Sequence, residues 1–190
     1  MALGIERVLF SVFGLMAALA LPQAINSAYA GDWTIDEARF GAAGSIQSDS
    51  SFEQGFFPNV VIFLDPLNSD EAVDLRDKMM RPRIHAGAMI STTDEASFAF
   101  TGINWTFDVT ERLYLDFGFG GAIHNGKLHD NGHRGPSLGC AALFREYAAV
   151  GVRVTEKVHL LATVDHASNA GLCRDNDGSS HAGLAVAYKF

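Results

Sequence analysis

Residues 158–168 alternate with a period of two. One set is Val158, Leu160, Ala162, Val164, His166 and Ser168, and the other is His159, Leu161, Thr163, Asp165 and Ala167. Successive side chains of a strand point to opposite faces, so the pattern predicts a β-strand with one mostly apolar face. The alternation recurs near the end of the chain, where Leu184, Val186, Tyr188 and Phe190 oppose Gly183, Ala185, Ala187 and Lys189. It recurs again where Leu113, Leu115, Phe117 and Phe119 oppose Tyr114, Asp116, Gly118 and Gly120. Two architectures use such strands. In a soluble sandwich the apolar face is turned inward. In a membrane barrel it meets lipid, and small and polar residues fill the lumen.

The spacing of the strands favours the barrel. Eight stretches rich in β-branched, aromatic and glycine residues are separated by turn signals: 33–46, 55–64, 82–91, 97–107, 112–122, 137–154, 158–168 and 181–190. The connections 108–111 and 155–157 are tight, whereas 124–136 and 169–180 are long, polar and glycine-bearing. Short turns on one side and long loops on the other mark an all-β, eight-stranded antiparallel up-and-down transmembrane β-barrel. An even strand count puts both termini on the periplasmic side. A barrel this narrow is filled by side chains and is not a pore. The segment 65–81 breaks the rule, because it lies on the short side yet is long, and 70–80 is able to form a helical turn or two.

The first thirty residues read as a targeting segment, with Arg7, an apolar run over 8–21 and Ala28-Tyr29-Ala30 as a small-x-small cleavage site. The expected organisation is therefore a signal peptide at 1–30 and an outer-membrane β-barrel at 31–190. No later apolar run approaches the roughly 20 residues of a membrane helix. Cys140 and Cys173 lie in the exported part, and the sequence leaves open both a disulfide and two free thiols. The net charge of −8 gives no electrostatic case for nucleic acid.

The chemistry concentrates in Asp165-His166-Ala167-Ser168-Asn169-Ala170-Gly171. His166 and Ser168 are two apart on a strand, so they share a face, roughly 6–7 Å apart along the chain. A serine becomes a useful nucleophile when a nearby base takes its proton, and histidine is the usual base. The pair continues the apolar face at the outer end of its strand, where lipid tails meet headgroups. On that face polar groups otherwise cost free energy. The plainer reading is that both are ordinary interfacial residues.

The block His166-Ala-Ser-Asn-Ala-Gly171, followed by Asn176-Asp-Gly178 and a closing aromatic strand, resembles the lipid A 3-O-deacylase family. The similarity extends to Arg81-Pro-Arg-Ile-His-Ala-Gly-Ala88, Thr101-Gly-Ile-Asn-Trp-Thr-Phe-Asp108, the 117–126 run and Leu143-Phe-Arg145. The resemblance implies an eight-stranded barrel in the bacterial outer membrane that hydrolyses an ester-linked 3-hydroxyacyl chain of lipid A, held as lipopolysaccharide in the outer leaflet. It implies His166 as general base and Ser168 as nucleophile, with no cofactor. It places Asn169 near the oxyanion site, where its side-chain amide is a suitable donor, with a backbone N–H near Gly171 as a second candidate. The acid departs from the family. Where family members carry a glutamate shortly after the Asn-Asp/Pro-Gly turn, this chain has Ser180, and where others carry an acid before that turn it has Asp175. Asp175 is therefore the first expectation and Asp177 the second. Asp165 is a third, but its strand position turns it toward the lumen.

Lys127, Arg134 and Arg145 fall on the outer side, as candidate contacts for lipid A phosphates or as plain rim charges. His124, His129 and His133 share a loop with Asp130, but their spacing fits no tight ligand pattern, so no metal site is expected. Trp33, Trp105 and Tyr188 are candidate interface anchors. The sequence leaves a homodimer open. The competing function is that of a small non-catalytic outer-membrane barrel, for adhesion or membrane stabilisation. A soluble exported sandwich is the third.

Overall fold

The structure, a computed structural model, describes residues 35–190. The expected leader at 1–30 and Trp33 lie outside the described residues. Eight strands close into one antiparallel barrel in sequence order: β1 Ile35–Ser45, β2 Phe57–Leu64, β3 Arg83–Met89, β4 Phe98–Asp108, β5 Leu113–His124, β6 Ala142–Arg153, β7 Val158–Ser168 and β8 Ser179–Lys189. One short helix, α1 Leu75–Met80, lies between β2 and β3. β1 pairs with β8, Phe40 opposite Val186, so among the described strands none is left as an unpaired edge.

The faces of the wall are the reverse of a soluble protein's. Ile103, Phe117, Phe119, Val150, Leu160, Val164, Leu184 and Val186 point outward and are exposed. Charged and polar groups point inward. Near the end that holds residues 35 and 190, Arg39 meets Glu37 and Asp116, and Arg83 bonds Asp36 at 2.7 Å and Glu37 at 2.9 Å. Asn104 Oδ1 accepts from Arg83 at 2.9 Å. Charges this deep persist only when paired and hydrogen-bonded. The opposite, long-loop end is closed by Phe57, Phe98, Leu138 and Leu143. Beside them Arg145, Asp165, His181 and Glu53 form a second buried polar chain, Arg145–Asp165 at 3.2 Å and His181–Glu53 at 3.3 Å. An apolar outer band around a filled polar lumen is the arrangement of a small membrane barrel. None of the described helices is long and apolar enough to cross a membrane.

Most strand boundaries fall within two residues of the sequence expectation, and two of the differences bear on the site. The sixth strand starts at Ala142 rather than 137. Gly139 takes φ +75 and a β-carbon there would overlap the Asp175 carbonyl, so the chain turns and Leu138 drops into the mouth, 1% exposed. The last strand begins earlier, because Ser179 and Ser180 already pair with Ala167 and His166.

Candidate active site

β7 carries the expected pair outward. Asp165, Ala167 and Asn169 are buried, while His166 is exposed and Ser168 half-exposed between them. Both therefore stand on the outer wall at the loop end of the strand, in line with Leu160, Ala162 and Val164. Their cross-strand neighbours define the surroundings. His166 lies between Glu146 on β6 and Ser180 on β8, and Ser168 lies opposite Phe144.

The imidazole's hydrogen bond goes to Ser180: Nδ1 and the Ser180 Oγ are 2.8 Å apart. No hydrogen bond joins His166 to Ser168. Beyond the end of β1, loop residues Ile46 and Gln47 take over the pairing with β8. Ile46 N donates to Ser180 O at 3.0 Å, Ser180 N donates to Gln47 Oε1 at 3.0 Å, and Gln47 Nε2 donates to Gly178 O at 3.1 Å. The ring lies over Gly178. A β-carbon at this position would come within 2.7 Å of His166 Cε1 and 3.3 Å of Nε2, and its φ of +67 also favours glycine. The missing side chain is the space that lets the imidazole lean toward the level of Ser168.

Neither expected acid reaches the ring. Asp175 Oδ2 is bonded to His129 Nδ1 at 2.8 Å, and Asp177 Oδ2 accepts from Ser137 N at 2.8 Å. Asp165 points into the lumen toward Arg145 and His181. Among the described residues no carboxylate oxygen lies within 4.0 Å of a His166 ring nitrogen. Both loop acids fasten loop 169–178 to loop 125–141, and the Cys140–Cys173 disulfide, with Cα atoms 5.8 Å apart, ties the same two loops.

The oxyanion expectation also changes. Asn169 is 1% exposed, and its amide donates to Leu138 O at 2.9 Å and Asp175 O at 2.7 Å, which uses both hydrogens. Gly171 N donates to Asn169 Oδ1 at 2.9 Å. These two residues build the loop rather than present donors. Asn176 was missed by sequence reasoning. Its Oδ1 accepts from Asn169 N at 2.9 Å, and its own amide hydrogens have no acceptor among the described residues. Glu146 was missed too, although strand register alone identifies it: exposed, on the outer face, directly opposite His166.

Of the three basic candidates, Arg145 is corrected outright. It is 7% exposed, bonds Asp165 and stacks on Phe100 at 3.9 Å, inside the barrel. Lys127 donates to the His133 carbonyl and Arg134 to Asp49 O at 3.4 Å, both within the loop layer. No group of metal-ligating side chains occurs among the described residues.

Down the wall from the pair runs an apolar groove of about 510 Å³, lined by Phe40, Val150, Leu160, Ala162, Leu184 and Val186 among others. Its floor is Ala162, with Val150 and Leu184 on either side. Between groove and pair, Val164 is flanked only by Ala148 and Ala182. Ala162 and His166 are four positions apart, roughly 13 Å along the strand.

Comparison with known proteins agrees with this picture. The crystal structure of the outer membrane enzyme PagL superposes with a TM-score of 0.61 at 17% identity, covering 81% of this chain and 99% of that one. The N-terminal β-barrel domain of Pseudomonas aeruginosa OprF matches with a TM-score of 0.51 at 13% identity, covering 82% of this chain and 98% of its own. Neisserial surface protein A matches with a TM-score of 0.51 at 13% identity, covering 86% of this chain and 100% of its own. At these identities the likenesses establish the fold. A search of curated proteins finds no match. The family model of lipid A 3-O-deacylase (PagL) matches residues 81–189, more than half of the sequence and every strand from β3 to β8, so the chain belongs to the lipid A 3-O-deacylase family of outer-membrane barrels.

Proposed function

We propose that this barrel removes an ester-linked 3-hydroxyacyl chain from lipid A with Ser168 as nucleophile and His166 as base. Membership of the family supports the reaction class. The observation that carries the residue assignment is the outward projection of both side chains from one face of β7, at its loop end and above an apolar groove. A lipid in the outer leaflet would set its acyl chain in the groove and its ester at the level of the pair.

With the Nδ1 hydrogen donated to Ser180 Oγ, the Nε2 lone pair is left to take the Ser168 proton. Ser168 Oγ then bonds the ester carbonyl carbon, and the carbonyl oxygen becomes an oxyanion. The Asn176 amide is the donor we assign to that charge, because its carbonyl end is pinned one residue beyond Ser168 and its N–H groups are uncommitted. As the intermediate collapses, the sugar oxygen leaves and takes the proton from the imidazolium. Water, deprotonated by His166 in turn, attacks the acyl-Ser168 ester and releases the fatty acid. In this reading a neutral Ser180 hydroxyl holds the base where family members use a carboxylate, which predicts a slower catalyst than one with a full triad.

Mass spectrometry of lipid A from cells expressing the protein tests the proposal. The expected result is loss of one 3-hydroxyacyl chain with the wild type and an intact lipid A with Ser168→Ala or His166→Ala. Unchanged lipid A with the folded wild type would favour the non-catalytic barrel.

A further inference from the structure

The segment 65–82 joins β2 to β3 at the end of the barrel that holds residues 35 and 190, where the other connections are tight turns. Many of its polar groups are paired. The Asp65 carboxylate accepts from Ser69 N and from Ser69 Oγ, both at 2.8 Å. Lys78 Nζ donates to Ser69 O at 2.9 Å, and Arg81 reaches Leu67 O at 3.1 Å and Asp77 at 2.8 Å. Asp74 caps α1 by accepting from Asp77 N at 2.8 Å. Asp70 is held to Lys189, on the last strand, at 2.7 Å. The segment is thus a folded unit fixed at the inner rim of the barrel.

Its apolar side chains have no such partners. Val73 is 88% exposed, Met80 72% and Leu75 68%, with Met79 and Leu67 also open. The position of α1 explains them. Trp105 Nε1 donates to the Met79 carbonyl at 3.1 Å. Trp105 is on the outer face of β4, since its neighbour Asn104 is fully buried in the lumen. It stands three residues from the strand's inner end, in line with exposed Ile103 and half-exposed Phe107. The helix therefore lies outside the barrel, against the lipid-facing wall at its inner rim, and does not plug the lumen.

We infer that α1 and its flanking residues form an interfacial anchor that beds into the acyl chains of the periplasmic leaflet. The apolar surface is continuous with the band the barrel already presents to lipid. An indole at the rim and a short amphipathic helix in the interface plane are the usual elements of such a contact. The charges select the kind of lipid surface. Asp65, Asp70, Glu71, Asp74 and Asp77 outnumber Arg76, Lys78 and Arg81, so attraction to anionic headgroups does not hold the segment. Burial of Val73, Leu75 and Met80 does, and zwitterionic lipid suffices.

The test uses the full chain with its native disulfide intact, reconstituted in phosphatidylcholine vesicles. Leu75→Cys, Met80→Cys and, as a control, Glu71→Cys each carry a bimane label. These are exposed positions, so the fold tolerates them. With lipid brominated near the headgroup end of its chains, Leu75 and Met80 labels lose most of their emission and the Glu71 label keeps it. Labels at 75 and 80 as unquenched as that at 71 would overturn the inference. So would quenching that rises with protein density in unbrominated lipid, because a second copy would then cover the helix.

Discussion

Replacing Ser180 by glutamate tests how the base is held. Ser180 is the direct cross-strand partner of His166, and its Oγ sits 2.8 Å from Nδ1. Paired residues have Cβ atoms roughly 4.5–5.5 Å apart, a gap a folded glutamate side chain spans. The backbone at 180 is fixed by Ile46 and Gln47, so only the side chain changes. A neutral hydrogen bond contributes about 0.5–1.5 kcal/mol, and one to a charged group about 1.5–3 kcal/mol. A carboxylate at 180 therefore stabilises the forming imidazolium by about 1–2 kcal/mol more than the hydroxyl does, which raises kcat about 5- to 30-fold. Ser180→Gln, equal in length but neutral, gives no such gain. Ser180→Ala loses one neutral hydrogen bond and lowers kcat about 5-fold with KM unchanged, since the contact is with His166 and not with lipid. The assay is release of 3-hydroxy fatty acid from lipid A in detergent micelles. The reasoning fails if Ser180→Ala matches the wild type while Glu146→Gln is as inactive as His166→Ala, for the ring would then take its partner from β6. It fails differently if Ser180→Ala abolishes activity and Ser168→Ala does not, because Ser180 would then be the nucleophile.

Two further outcomes follow from the loops. The Cys140–Cys173 bond spans 33 residues and fastens the loop behind Ser168, and such cross-links contribute about 2–4 kcal/mol. The Cys140→Ser/Cys173→Ser protein should keep its barrel by circular dichroism but lose activity and become cleavable by protease within 125–141 or 169–178. Unchanged protection of both loops would show that Asp175, Asp177 and Asn169 hold them unaided. At the inner rim, burial tends to raise the Asp70 carboxyl, but hydrogen bonding to Lys189 and its charge outweigh this and hold it below the ordinary carboxylate value. A carboxyl lowered by folding stabilises above its unfolded value and loses that contribution as pH falls through the folded one. Once corrected for the intrinsic pH dependence of the exchange rate, hydrogen-exchange protection in 65–71 should therefore fall on acidification below about pH 4, and Asp70→Asn should show the low protection already at neutral pH.

The fold was legible because alternation in a lipid-facing strand is strong and the loop lengths are lopsided. All eight expected stretches are strands, and their faces follow from parity. The outward pointing of His166 and Ser168 follows from parity as well. The same parity could have placed Arg145, which shares a face with Leu143 and Tyr147, and register could have brought in Glu146. What was not legible lies in the loops. Asp175 and Asp177 follow Ser168 closely in sequence, but their direction depends on loop 125–141, which offers His129 and the Ser137 amide as partners. The fate of the Asn169 amide was hidden for the same reason. Its acceptors include Leu138 O, a carbonyl 31 residues away. The helical turn within 70–80 was legible, but the place of segment 65–81 was not, because it is set by isolated contacts, Trp105 to the Met79 carbonyl and Lys189 to Asp70, which leave no periodic trace.

Covalent trapping of the nucleophile probes the central claim most directly. A long-chain alkyl sulfonyl fluoride should enter the groove, lose fluoride to the activated hydroxyl and leave a sulfonyl group readable by peptide mass mapping. The account predicts an adduct on Ser168 in the wild type and none in His166→Ala. An adduct on Ser180, or labelling of Ser168 that persists without the imidazole, would contradict it.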